Sequence, residues 1–179
     1  LNRLLSLSSA WMLICVLFAV PALSQTLRLD ITEGQIAPIP VAVADFTGLD
    51  GKPSNVGRQI SQVIADDLVS SGLFTAIDSA AFIVPPISPS LRPNFSNWTP
   101  LGAKGLVVGS AFIDSDGLLQ VEFALWDVVS QRRITEGGGS AEQAGLRRIA
   151  HQIADFVYEE FTGDTAYFDT QIVYVSESG

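Results

Sequence analysis

His151 is the only histidine in the chain and Cys15 the only cysteine. Zinc centres draw on several His or Cys ligands, so one built here would need mostly carboxylates. A Ser-His-Asp relay would have to run through His151, and no Gly-x-Ser-x-Gly turn accompanies that residue. It stands beside an apolar stripe and reads as half-buried scaffolding. Asp66 and Asp67 are adjacent carboxylates, but helical neighbours point about 100° apart. Both are expected on a solvated face rather than as an acid/base pair. Asp114-x-Asp116-Gly117 opens like a calcium loop. Its twelfth position, where a bidentate glutamate is required, holds Leu125, so a plain turn is expected. Gly137-Gly138-Gly139 lacks the Lys-Ser/Thr of a phosphate loop and reads as conformational freedom. Asn94-Phe95-Ser96 and Asn97-Trp98-Thr99 match the glycosylation sequon, which matters only in a eukaryotic secretory pathway. The expectation is therefore an exported binding domain with no catalytic residues, no cofactor and no metal. The alternative is a small-ligand-binding domain or hydrolase built on the Pro-rich loop at 85–100 and Trp98.

Export is read from the first two dozen residues. Arg3 gives a short positive head, Trp11 to Val20 is an uncharged apolar run, and Pro21-Ala22-Leu23-Ser24 places small residues at a cleavage site. Leu1 to Ser24 thus reads as a signal peptide cut between Ser24 and Gln25, too short and wrongly flanked for a spanning helix. Cys15 and the single methionine, Met12, leave with it. The remaining 155 residues carry no thiol and must hold together by burial, for which that length is sufficient. The whole chain has a formal charge of −9, and loss of Arg3 makes it −10. Such a surface repels phosphate backbones, so nucleic-acid binding is not expected. No later run is long and apolar enough for a membrane span.

These residues must be positioned by a small set of elements. Thr26 to Glu33 alternates strictly, with apolar residues at odd positions, and predicts a strand ended by Gly34. Val41 to Phe46 predicts a second strand. Ile60, Val63, Ile64 and Leu68 recur at helical spacing, with Ser54 or Asn55 as cap and Gly72 beyond the end. Leu73 to Asp78 predicts a strand, and parallel pairing is the default for this strand–helix–strand unit. Five prolines between 85 and 100 exclude a central strand there, though a helical turn fits near Trp98 to Lys104. A hairpin is predicted from about 105 to 127 around the turn at Asp114 to Gly117, with Leu119, Val121, Phe123 and Leu125 alternating against Gln120, Glu122, Ala124 and Trp126. Ser130-Gln131 turns into a Gly-rich strand near 132–140. Leu146, Ile149, Ala150, Ile153, Val157 and Phe161 mark a last helix ended by Gly163. Phe168 to Val175 alternates again, as a strand leading into something this chain does not contain. The fold class is α/β: a mixed sheet of five to six strands covered by two long helices in a single layer.

Several segments resemble, in order, the amino-terminal domain of the TolB family of the Tol–Pal cell-envelope system. They are Leu27-Arg28-Leu29-Asp30-Ile31, Pro40-Val41-Ala42-Val43, Ile64-Ala65-Asp66-Asp67-Leu68 and Ser71-Gly72-Leu73-Phe74. Trp98 to Ala103, Val107-Val108-Gly109, Phe161-Thr162-Gly163 and Ile172-Val173-Tyr174-Val175 complete the series. The resemblance implies a periplasmic adaptor for outer-membrane integrity, cell division and bacteriocin import. It implies a chain divided into a signal (1–24), a strand segment (25–36), an α/β domain (37–165) and the entry to a missing β-propeller (166–179). Pal and colicins would engage only that propeller. What carries over to this chain is TolA binding by the mature amino terminus: Gln25, Thr26, Leu27, Arg28, Leu29, Asp30, Ile31, Thr32 and Glu33. An alternating strand at a free chain end can pair with a foreign sheet edge. Leu27, Leu29 and Ile31 could equally complete the chain's own sheet.

Overall fold

The computed structural model describes residues 37–170. Five strands and two long helices are present: β1 (Ile39–Val43), α1 (Asn55–Ser70), β2 (Phe74–Ala76), β3 (Gly105–Ile113), β4 (Leu118–Asp127), β5 (Arg132–Glu142) and α2 (Leu146–Thr162). The sheet order is β2-β1-β3-β4-β5. β1 pairs in parallel with β2 and β3, while β3, β4 and β5 form an antiparallel meander. The mixed sheet and its helices are thus as the periodicities predict. The 3-10 turn at Thr99–Leu101 supplies the expected helical turn, and a second one at Phe95–Asn97 precedes it.

Local chemistry fixes the joints. Of the two candidate caps for α1, Ser54 is the one used: its Oγ accepts from the Gly57 N–H at 2.8 Å and donates to the Ala111 carbonyl at 2.9 Å. One hydroxyl therefore starts the helix and ties it to β3. The loop before it clings to β3 as well, with Thr47 N–H donating to Gly109 O and Ala111 N–H to Thr47 O. Phe46 packs against Gly109, where an added Cβ would come within 2.2 Å of the ring. Gly109 is the position at which the sheet admits that ring.

Both sheet faces are covered, by different means. On one, α1 and α2 lay Ile60, Ile64, Leu68, Ala150, Ile153 and Val157 over Val41, Val107, Leu119, Val121 and Leu125. On the other, the irregular segment 77–104 packs Phe95, Trp98 and Ala103 on Ala42, Leu106, Val108, Ala124 and Trp126. Ala124 and Trp126, grouped in the sequence with Gln120 and Glu122, are therefore core residues of the second face. A chain segment with no period of its own covers them, so alternation along β4 could not show it.

The start of the expected final strand behaves differently from its pattern. Phe168 and Asp169 form a turn after α2, with both backbone N–H groups donating to the Asp155 carboxylate at 2.8 and 3.1 Å. Ala166 and Phe168 pack against the helix-face core. Residues 171–175 lie outside the described residues.

Candidate functional site

The signal cleavage position, Ser24 and Gln25, and the whole expected partner strand, Gln25 to Glu33, lie outside the described residues. The remaining chemistry-bearing residues are spread over three places.

The first joins the helices. His151 on α2 meets Asp67 on α1, with Nδ1 2.6 Å from Oδ2. An ionised carboxylate only accepts, so Nδ1 carries the proton. Both side chains are partly buried, 22% and 17% exposed. Asp66 is exposed as expected and accepts from Gln62, but Asp67 does not share that solvated face. The 100° between neighbours turns one carboxylate to water and the other to α2. Among the described residues no serine or threonine hydroxyl bonds to His151, so the pair acts as a cross-helix tie.

The second is the β3–β4 turn. Asp114 accepts from the N–H groups of Asp116 and Leu118, both at 2.9 Å, and from the Gln120 amide. The Gln120 amide, and then the backbone donors, hold its carboxyl below the usual carboxylate range. This is the turn chemistry expected of Asp-x-Asp-Gly. Among the described residues no group of three acidic, His or Cys side chains is placed to hold a metal.

The third is the sheet edge. Gly137, Gly138 and Gly139 lie within β5 and have no positive φ, so conformational freedom is not what they supply. They supply room. A Cβ on Gly138 would fall 2.6 Å from the Val121 carbonyl oxygen, and one on Gly137 3.0 Å from the Phe123 ring. Beside them runs a groove of about 170 Å³ floored by Val121, Phe123, Ile149, Ile153 and Phe156. Phe156 stacks on Phe123 with ring centres 5.9 Å apart, yet half of it is exposed. Sequence reasoning missed this groove. Phe156 falls outside the stripe read along α2, and only the register of β4 with β5 sets the glycines beside it. Trp98, the anchor of the small-ligand alternative, is 3% exposed and packs edge-on against Phe82. It is spent on the core and unavailable to line a binding loop.

This architecture defines an α/β domain: a mixed five-stranded sheet under one helical layer, closed on its other face by loop. The family model of the TolB amino-terminal domain matches residues 27–134. The chain belongs to that family. It is 40% identical over 177 residues to the Tol-Pal system protein TolB of Paramagnetospirillum magneticum, covering 99% of this chain and 39% of that one. To the Tol-Pal system protein TolB of Dinoroseobacter shibae it is 44% identical over 154 residues, covering 86% of this chain and 34% of that one. The chain thus spans under two fifths of the length of these relatives. The crystal structure of TolB from Acinetobacter baumannii has the same fold, with a TM-score of 0.60 at 22% identity over 74% of this chain and 30% of that chain.

Proposed function

We propose that this chain is a non-enzymatic adaptor of the Tol–Pal system, working in the periplasm and binding TolA through Gln25 to Glu33. Membership of the TolB amino-terminal domain family carries this reading. The match runs from Leu27 to residue 134, so it takes in most of the alternating segment and the α/β body as far as the start of β5. In the proposed organisation, removal of 1–24 frees Gln25 and residues 25–36 form the partner strand. The body 37–165 is the platform, and 166–179 leads toward the propeller of the longer relatives. Leu27, Leu29 and Ile31 would bury against TolA while Arg28, Asp30 and Glu33 set register. Contacts with Pal and colicins belong to the propeller. Outer-membrane integrity, cell division and bacteriocin import follow from those links.

Deletion of Gln25 to Glu33 tests the assignment. Calorimetric titration with the carboxy-terminal domain of TolA should lose its binding heat, with circular dichroism and melting temperature unchanged. Undiminished affinity in the deleted protein would overturn it.

A further inference from the structure

We propose that the free edge of β5 is a second docking site, taking an extended peptide that alternates apolar and cationic side chains. Among the described residues nothing pairs with the outer side of this eleven-residue strand. Its unpaired N–H and C=O groups match the backbone of another strand, and a helix cannot satisfy them. Natural sheets usually guard such an edge with charged side chains, proline or a cover. β5 keeps its charges, Arg132, Arg133, Glu136 and Glu142, toward its two ends, and Gly137 to Ala141 between them carries neither charge nor proline.

The two faces of the edge differ in chemistry. Thr135, Gly137, Gly139 and Ala141 stand opposite Leu125, Phe123, Val121 and Leu119, on the side of the helices. There the groove lined by Phe123 and Phe156 offers apolar surface that the glycines leave uncovered. Glu136, Gly138 and Glu142 alternate onto the other side, where Gly138 pairs with Glu122. Three exposed carboxylates thus share one face of the edge. Glu136 is tied to Arg133, but Glu122 and Glu142 make no ion pair among the described residues. A strand added here places every second side chain over the Phe123–Phe156 groove and the others beside these carboxylates. That fixes its pattern as apolar then cationic.

The test uses the full chain and a fluorescein-labelled octapeptide of alternating valine and lysine. A second octapeptide has the same composition, with valines and lysines in separate blocks. Anisotropy should show sub-millimolar binding of the alternating peptide and weaker binding of the blocked one. Glu122→Lys with Glu142→Lys, both exposed positions, should weaken the alternating peptide about tenfold or more without lowering the melting temperature. Amide exchange at 134–141 should slow when that peptide is bound. Equal binding of the two peptides, no binding, or affinity unchanged in the double variant would each overturn the proposal. Deleting Gln25 to Glu33 should leave this binding intact, which separates its fate from that of the TolA reading.

Discussion

β3 and β5 flank the same strand and pair with it along nearly its full length, yet they live in different environments. β3 is buried at six of nine positions, whereas β5 has no buried residue. Ladder hydrogen bonds are common to both, so pairing alone does not build the core. β3 has helices over one face and the 77–104 segment over the other; β5 has α2 nearby and an open side. The difference teaches that cover, more than strand pairing, makes this core.

Glycine substitution breaks the comparison most sharply. Gly109→Ala on β3 drives a methyl into the Phe46 ring and should cost about 1–3 kcal/mol in urea unfolding, as overpacked cores do. Next comes the tie above the sheet. Asp67→Ala removes the bond to His151 and should cost about 1 kcal/mol, within the usual range for one intramolecular hydrogen bond. Asp67→Asn, which keeps an acceptor, should lose less. On β5 the expectation reverses. Gly139 has nothing within 4 Å of an added Cβ, so Gly139→Val should be neutral or stabilising by up to about 1 kcal/mol. A large loss at Gly139 would mean that β5 is as tightly constrained as β3.

The smallest effect is set by pH. Asp114 has a folded pKa below its ordinary value, so the turn's contribution is complete above the unfolded value. It disappears as pH falls through the lowered folded value. Asp114→Asn should flatten the acid limb of a melting-temperature profile slightly and leave it unchanged near neutrality. No change in that limb would show that the turn contributes nothing through this carboxylate.

Elements with a strong period were readable from residues alone: α1 from Ile60, Ile64 and Leu68, and the hairpin from the alternation on β4. Three features were not. Burial of Trp126 depends on an aperiodic segment returning over the sheet from far along the chain. The choice between Asp66 and Asp67 depends on how α2 crosses α1, which no single-helix pattern contains. The turn at Phe168 and Asp169 depends on a carboxylate 13 and 14 residues earlier accepting their N–H groups. The β5 groove was hidden for the same reason, since its wall and floor come from three separate elements.

The loop-covered face has a spectroscopic consequence. Of the three tryptophans, Trp98 and Trp126 both sit in that layer, and the third, Trp11, precedes Ser24. In a chain without residues 1–24, indole emission monitors one side of the sheet alone, while helical ellipticity monitors chiefly the other. Two optical signals from an unlabelled molecule can therefore reveal whether its halves dissolve together or in succession.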